Sequence, residues 1–169
     1  KKKTTKHFVE LKKLISFFKS LFNKKSHDVT KLLKSGDLFF DIGAHLGNKS
    51  KQFLDKNLKA IMVEPLPHCV EQLKIKFKNK DNVEIIQKAV GRSPGNMTLE
   101  VNTKMPTTST MAKHWKSGRF SNEKWDQNIT VEMTTLDDLI KIYGLPSYIK
   151  IDVEGFELDV LTGLSQKAG

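Results

Sequence analysis

Asp41-Ile42-Gly43-Ala44-His45-Leu46-Gly47 separates an apolar run from a helix-like segment, and this order of elements predicts the class of fold. The apolar run is Leu38-Phe39-Phe40, the helix-like segment is residues 48–58, and a second apolar run, residues 60–63, ends at Glu64. A hydrophobic strand, a glycine turn, a helix and a second strand that ends in an acid form a β-α-β nucleotide-binding unit. The acid lies 21 residues beyond the first glycine, close to the spacing at which a carboxylate reaches a ribose diol.

The glycine turn favours a cationic ligand over a pyrophosphate. A dinucleotide-binding turn needs Gly-x-Gly-x-x-Gly, so that bare backbone can approach the phosphates, whereas here Ala44 and His45 follow Gly43 directly. The carboxylate of Asp41 would repel a pyrophosphate but attract an ammonium or sulfonium group. S-adenosylmethionine carries both of these cations, has no phosphate, and offers a ribose to Glu64. This chemistry predicts S-adenosylmethionine as the cofactor; the alternative is a Rossmann-like turn in which Asp41 only caps the following helix.

Five segments of the chain together resemble one known family. In chain order they are Asp41–Gly47, Val63–Pro65, Ala89–Gly91, Thr135–Leu139 and Tyr148–Glu157. This set is similar to the FkbM family of S-adenosylmethionine-dependent methyltransferases. The sequence Lys-Ile-Asp-Val-Glu-Gly-Phe-Glu, residues 150–157, is the most discriminating part, and the resemblance covers residues 37–164.

The resemblance implies an α/β, Rossmann-like class I methyltransferase fold, in which a mostly parallel sheet has helices on both faces. In the family's usual chemistry it also implies O-methylation of a hydroxyl on a sugar or other small molecule. His45 is a departure, because such proteins more often carry Asn there. A complete class I sheet usually has seven strands, and the fourth main strand here is close to the end of the chain. We therefore expect a fragment without its C-terminal strands; a naturally minimal domain is the alternative.

The same interpretation assigns the cofactor-binding residues. They are Asp41, Gly43, Ala44, His45, Gly47, Glu64, Pro65 and Ala89. Glu64 would accept hydrogen bonds from the ribose. Pro65 and Ala89 would flank the adenine, with Ala89 small enough for the base to approach closely. Both could equally be ordinary core residues.

Asp152 and Glu154 are the candidate catalytic residues. Asp152 falls where the predicted strand of residues 147–152 ends, and ligands of open α/β sheets bind at the carboxyl ends of strands. Methyl transfer to a hydroxyl requires removal of the proton, which a carboxylate can perform. Asp152 is thus the first candidate for a base or substrate anchor and Glu154 the second. The alternative for Glu154 is a favourable first-turn charge on the next helix.

The remaining elements are predicted from apolar periodicity and turn residues. Strands are expected near 38–42, 60–64, 83–88 and 147–152, accessory strands at 97–101 and 129–133, and helices near 47–57, 67–78, 135–143 and 155–164. Between the accessory strands, residues 102–128 form a long polar segment. It is interpreted as a lid over the acceptor or, alternatively, as a disordered loop.

The charge of the chain is concentrated at its N-terminus. Residues 1–25 hold nine Lys and one Glu, which leaves +2 of the total +10 for the other residues and argues against nucleic acid as a partner. Apolar residues in this segment recur every three or four positions, which predicts an amphipathic helix in a basic extension, residues 1–35, ahead of a methyltransferase domain, residues 36–169. We expect the helix to pack on the domain; peripheral contact with an anionic membrane is the alternative.

Several classes of protein are disfavoured by what the sequence lacks. The single cysteine, Cys69, excludes an internal disulfide and suits a cytoplasmic location. The five histidines have no ligand spacing, so no metal site is predicted. Lysines interrupt every apolar run of the N-terminal segment, which argues against a transmembrane span or a secretory signal there.

Three functions from different classes therefore stay open. The first is an O-methyltransferase that acts on a saccharide or another small-molecule acceptor. The second is a catalytically inactive Rossmann-like binding module. The third is an NAD-dependent oxidoreductase, against which the incomplete glycine pattern and Asp41 argue.

Overall fold

The computed structural model describes residues 29–103 and 124–165. The chain divides into two compact units, residues 1–33 and residues 34–169. Within the first unit, Val29–Leu32 forms a single 3-10 turn. The predicted amphipathic helix of residues 1–25 lies outside the described residues, so its packing and any membrane contact stay predictions. The second unit holds all the elements that follow.

Seven strands occur in the described part of the second unit. They are β1 (Leu38–Ile42), β2 (Lys59–Val63), β3 (Val83–Ile86), β4 (Ala89–Val90), β5 (Gly95–Val101), β6 (Gln127–Thr134) and β7 (Tyr148–Ile151). Four of them form a parallel sheet in the order β3-β2-β1-β7. The chain moves outward from β1 through β2 and β3, and β7 then joins on the opposite side of β1. The strand order therefore reverses at β1, and such a switch point is where open α/β sheets bind ligands.

A smaller sheet has the order β4-β6-β5, with β4 parallel and β5 antiparallel to β6. The two predicted accessory strands are confirmed as parts of β5 and β6. The predicted strand 83–88 is wrong in its last two residues, because the chain leaves the large sheet after Ile86 and enters β4 at Ala89. A two-residue strand has no periodicity from which it could be recognised.

Asp126 joins the ends of the long segment between β5 and β6. Its backbone amide donates to the carbonyl of Val101 at 3.1 Å, and its carboxylate accepts hydrogen bonds from the amide of Thr103 at 3.0 Å and the hydroxyl of Thr103 at 2.5 Å. The predicted lid falls mainly on residues 104–123, which lie outside the described ranges. Its role over the acceptor stays a prediction.

Four α-helices lie within the described ranges: three of them follow β1, β2 and β7, and one lies between β6 and β7. They are α1 (Lys51–Leu54), α2 (Pro67–Lys76), α3 (Leu136–Tyr143) and α4 (Glu157–Thr162). Helix α2 begins at Pro67, whose missing N–H costs nothing at a first helical position. Helix α3 begins after Thr135, whose hydroxyl accepts a hydrogen bond from the amide of Asp138 at 3.0 Å.

Helix α1 is one turn long, whereas the sequence predicted a helix over residues 47–57. Ser50 occupies its N-cap position, but the Ser50 hydroxyl donates to the Asp41 carboxylate and not to the helix backbone. Asn57 has a left-handed φ of 60°, which ends the segment. None of the helices in the described ranges is long and apolar enough to cross a lipid bilayer.

The core lies on both faces of the parallel sheet, because successive side chains of a strand point to opposite sides. On one face, Phe40 and Val63 pack with Leu139 of α3 and Val160 of α4 in a single cluster. On the other face, the ring of Phe39 stacks on Phe53 of α1 at 4.2 Å between ring centroids. The predicted α/β architecture with helices on both faces is therefore confirmed for the described residues.

Candidate active site

A cavity of about 290 Å³ opens at the carboxyl ends of β1, β2 and β7 and is bordered by β4. Eight of the ten predicted site residues line it. The ends of β1 and β2 contribute Gly43, Ala44, His45, Glu64 and Pro65, and β4 and the segment after β7 contribute Ala89, Asp152 and Glu154. Asp41 and Gly47 are not among the lining residues. The cavity therefore lies at the strand-order reversal, where a ligand site was expected.

The glycine turn is held against β2 by its backbone. The amides of Gly43 and Ala44 both donate to the carbonyl of Val63, at 2.9 and 3.1 Å. Gly43 has a φ of 76°, and a Cβ atom there would lie 2.1 Å from the carbonyl oxygen of Asp152. Only glycine satisfies both conditions, so this residue brings the β1 and β7 ends into direct backbone contact.

His45 continues the turn in the left-handed region, with a φ of 49°. Asn and His are among the non-glycine residues that adopt this region most readily, which accounts for a histidine at this position of the turn. Burial lowers the pKa of His45, and the nearby His68 and Lys150 lower it further, whereas Asp152 opposes the shift. The imidazole is therefore neutral at physiological pH and able to accept a proton.

Glu64 forms a buried wall of the cavity, with 5% of its surface exposed. One carboxylate oxygen accepts the amide of His45 at 2.8 Å, and the other accepts the amide of Leu66 at 3.0 Å. Burial raises the pKa of Glu64, and the two backbone hydrogen bonds partly offset this effect. Each carboxylate oxygen has a second lone pair, so the group can accept further hydrogen bonds from a ligand diol.

Asp41 lies behind the glycine turn and is fully buried. Its carboxylate accepts a hydrogen bond from the Ser50 hydroxyl and pairs with the Lys150 ammonium, whose Nζ lies 2.7 Å from Oδ1. This arrangement differs from the predicted direct attraction of a cofactor cation, because the charge of Asp41 is balanced inside the protein. It also differs from helix capping, since no helix amide is the donor.

Lys150 is a site residue that sequence reasoning missed. It faces Asp41 across the β1–β7 ladder, and its Nζ also donates to the carbonyl of Gly43 at 2.9 Å. A signal was present in the sequence, since a lysine between Ile149 and Ile151 in a partly buried parallel strand needs an anionic partner. Asp41, near the end of the neighbouring strand, is the acid that this argument would have selected.

Asp152 joins the cavity wall through both its backbone and its side chain. Its amide donates to the carbonyl of Ile42 at 3.0 Å, and its Oδ2 lies 2.8 Å from Nζ of Lys49 and 3.8 Å from Nζ of Lys150. The hydrogen bond to Asp152 is the main cause of a raised pKa of Lys49. Lys49 lines the cavity and was also missed, because a single lysine after a glycine turn carries no distinguishing pattern.

Glu154 lines the cavity with a left-handed φ of 49° and precedes Gly155, whose φ is 95°. Helix α4 begins at Glu157, so the acids in its first turn are Glu157 and Asp159. The alternative interpretation of Glu154 as a first-turn charge therefore does not match the observed helix bounds. Its proposed part in catalysis stays a prediction.

Gly47 has a packing role away from the cavity. Its φ is 65°, and a Cβ atom there would lie 2.6 Å from the Phe77 ring and 2.8 Å from a methyl group of Leu73. The absence of a side chain lets the turn pack closely against α2 and the residue that follows it. Its predicted contact with a cofactor therefore has no support from the cavity lining.

Among the described residues, neither a metal site nor a reactive cysteine is found in addition to the cavity. Within residues 29–103 and 124–165, no three His, Cys, Asp or Glu side chains are grouped as a metal site would require. Cys69 is fully buried, and burial raises the pKa of its thiol to about 12, with a smaller contribution from Glu64. A thiol in this environment is protonated and unreactive.

Comparison with known proteins agrees with this architecture. Residues 41–168 match the methyltransferase FkbM domain, whose members are generally S-adenosylmethionine-dependent. The chain is also 26% identical over 178 residues to Methyltransferase sdnD of Sordaria araneosa, an alignment that covers 89% of this chain and 68% of that protein. The matched region begins at Asp41 and contains every residue that lines the cavity. The chain therefore belongs to the FkbM family of methyltransferases.

Proposed function

We propose that this protein transfers a methyl group from S-adenosylmethionine to a hydroxyl of a sugar or another small molecule. The observation that carries the cofactor assignment is the carboxylate of Glu64, which is buried in the cavity wall and oriented by two backbone amides. A fixed pair of acceptor oxygens is suited to the two adjacent hydroxyls of a ribose. Their orientation before binding reduces the entropy that ligand binding would otherwise cost.

The rest of the cavity fits the same cofactor. Pro65, Leu66 and Ala89 provide apolar walls close to Glu64, which suits an adenine ring. The turn of residues 43–45 provides a lining beside the ribose site for the amino-acid end. When bound, the cofactor supplies an electrophilic methyl group. The protein's part is to hold the donor and the acceptor oxygen in line, which can account for much of the rate of such a transfer.

Asp152 is proposed to act on the acceptor. Its carboxylate lies on the cavity wall and can take the hydroxyl proton or orient the hydroxyl by a hydrogen bond. The Lys49–Asp152 pair would have to open for this step. The side chains of Lys49 and Asp152 are 69% and 43% exposed, and ion pairs so exposed stabilise a protein by about 1 kcal/mol or less. Glu154 and the neutral imidazole of His45 are the next candidates.

Ligand binding tests the cofactor assignment. S-adenosylhomocysteine should raise the melting temperature, because a ligand bound only by the folded state stabilises it, whereas NAD should have no effect. Glu64→Gln should reduce the shift. The matched control is Glu84→Gln, which changes an exposed glutamate of β3 and should leave the shift intact. Stabilisation by NAD and not by S-adenosylhomocysteine would overturn the assignment.

Turnover tests the reaction. The protein is incubated with methyl-labelled S-adenosylmethionine and a panel of saccharides and small hydroxylated compounds, and products are analysed by mass spectrometry. We expect a product heavier by one labelled methyl group in place of a hydroxyl hydrogen. Cofactor binding without any methylated product from a broad panel would favour the inactive binding module.

A further inference from the structure

The ammonium of Lys150 contacts two groups in addition to Asp41, the carboxylate that it neutralises. Its side chain is 13% exposed, while the carboxylate of Asp41 beside it is 1% exposed. Its ammonium donates to Oδ1 of Asp41 at 2.7 Å and to the carbonyl of Gly43 at 2.9 Å, and it lies 3.8 Å from Oδ2 of Asp152. These three groups belong to the end of β1, the glycine turn and the end of β7.

The need to neutralise Asp41 explains only the first of these contacts. A fully buried carboxylate requires a positive partner, and the pair satisfies this requirement. The bond to Gly43 is different, because it holds a backbone carbonyl of the glycine turn and adds nothing to the neutralisation of Asp41. The amide of Ala44, at the other end of the same peptide, donates to the carbonyl of Val63 in β2, and the carbonyl of Gly43 is bound to Lys150, so this peptide is held from both sides.

We propose that Lys150 is a positioning residue, which holds the glycine turn and the Asp152 carboxylate in one fixed relation across the cavity. This inference rests on the proposed function, because it assigns to Lys150 the alignment of the cofactor turn with the acceptor-side carboxylate. Lys150 acts through Gly43 and Asp152, and Asp41 holds the ammonium in place. Neither Asp41 nor Lys150 needs to touch the reacting atoms.

The decisive variant removes both charges of the buried pair. Lys150→Met alone would leave Asp41 buried without its partner and should lower the melting temperature strongly. Asp41→Asn/Lys150→Met removes both charges of this pair and leaves neither partner buried alone, so the melting temperature should return close to that of wild type. If Lys150 positions the turn, the double variant should still bind S-adenosylhomocysteine at least about tenfold more weakly and show a lower kcat. Wild-type affinity and kcat in the double variant would reduce Lys150 to a counter-ion.

A second variant keeps the positive charge at position 150 but changes the shape of the group that carries it. Lys150→Arg still neutralises Asp41, but its planar fork cannot direct donors to the same three groups as a compact ammonium. We expect near-normal stability with about a tenfold loss of S-adenosylhomocysteine affinity; unchanged affinity and kcat would overturn the proposal. Arg92→Met is the control, because it removes an exposed ion pair, with 2.6 Å between Arg92 and Asp159, away from the cavity. It should change neither quantity.

Hydrogen exchange separates this proposal from the proposed function. The amides of Gly43 and Ala44, which donate to Val63, should exchange at least about tenfold faster in Lys150→Arg and in the double variant than in wild type. This measurement needs no ligand. If wild-type protein bound no S-adenosylhomocysteine, the cofactor assignment would fail while the exchange rates still tested Lys150. Equal exchange rates in all three proteins would overturn the positioning role.

Discussion

Asp152 combines a structural contact and a chemical group in one residue. Its amide extends the β1–β7 ladder beyond the strand through the carbonyl of Ile42, and its carboxylate faces Lys49 at the cavity. The backbone contact survives any change of side chain. A substitution at this position can therefore separate loss of chemistry from loss of the fold.

Asp152→Asn should reduce turnover with little effect on cofactor affinity. Asparagine keeps the size and a carbonyl acceptor for Lys49 but cannot take a proton, so we expect kcat to fall by ~10²–10⁴-fold, the usual contribution of general acid–base catalysis. Binding of S-adenosylhomocysteine, measured by calorimetry, should stay near normal, because the lost interaction matters mainly in the transition state. Asp55→Asn, at the C-cap of α1, is the control. Full activity of Asp152→Asn would make this carboxylate structural and direct attention to His45 and Glu154.

Glu64 should give cofactor binding a pH dependence. Burial raises its pKa above the ordinary glutamate value of 4.5, so it takes up a proton at a higher pH than an exposed glutamate and then loses acceptor capacity. We expect S-adenosylhomocysteine affinity to fall on acidification, starting above pH 4.5. Glu64→Gln should flatten this component of the profile, and calorimetry over a series of pH values checks it. The same dependence in wild type and variant would assign the titration to another group.

The contribution of Glu64 to the stability of the ligand-free protein should have the opposite pH dependence: it should increase on acidification, whereas ligand affinity falls. A folded-state pKa raised above the unfolded value means that the folded protein holds the proton more tightly. Glu64 therefore adds to the free energy of unfolding at low pH. This contribution is fully present below the pKa of the glutamate in the unfolded chain, and it is lost as pH rises through the pKa of Glu64 in the folded protein. The buried carboxylate is thus retained at neutral pH at a cost in stability, which suits a group that serves ligand binding.

At the level of the elements, the turn between β1 and α1 depends on two glycines with different functions. Gly43 permits contact with β7, whereas Gly47 permits contact with Leu73 of α2 and with Phe77. The sequence motif presents both as one cofactor-binding pattern. In the structure the two glycines have different neighbours: Gly43 lines the cavity, whereas Gly47 packs against Leu73 and Phe77.

Gly47→Ala should destabilise the protein without changing the cavity lining. The new Cβ would clash with Leu73 and Phe77 at a φ of 65°, and such strain plus overpacking costs about 1–3 kcal/mol. Urea denaturation measures the loss. Gly36→Ala is the matched control, since Gly36 has a φ of 87° but nothing lies within 4 Å of its added Cβ, so only the backbone strain remains. Equal losses in the two variants would contradict a packing role for Gly47.

At the scale of the whole molecule, the buried Cys69 should report on unfolding. The chain has one cysteine, which is fully buried and has a pKa of about 12. We expect alkylation by iodoacetamide at pH 8 to proceed only through opening of the structure. Saturating S-adenosylhomocysteine should slow labelling by the factor by which it lowers the population of the open form, about 1 plus the ratio of ligand concentration to Kd.

Two comparisons make that measurement specific. Cys69→Ser should abolish labelling under native and denaturing conditions, which identifies the reacting group. Fast labelling of native protein, with no slowing by ligand, would contradict the burial of Cys69 between α2 and the smaller sheet.

Much of the fold was predictable because it depends on local pattern. Apolar runs located β1, β2 and β7, and the helices predicted near 67–78 and 135–143 begin within one residue of the observed starts of α2 and α3. Glu64 was assigned to a ligand site from its distance along the chain to the glycine turn. The strand and helix assignments need only neighbouring residues, since alternation and turn conformation act within a few positions.

The charge pairs of the site were not predictable in the same way. Asp41 and Lys150 are 109 residues apart, and Lys49 and Asp152 are 103 residues apart, so each pair exists only once β7 has aligned with β1. A shift of that register by one residue would turn every β7 side chain to the opposite face. The sequence by itself determined the α/β sheet and placed the glycine turn and Glu64 at the carboxyl ends of its strands. Only the tertiary structure decided which charges the protein neutralises itself and which face the cavity, because pairing between distant strands is set by sheet register and packing.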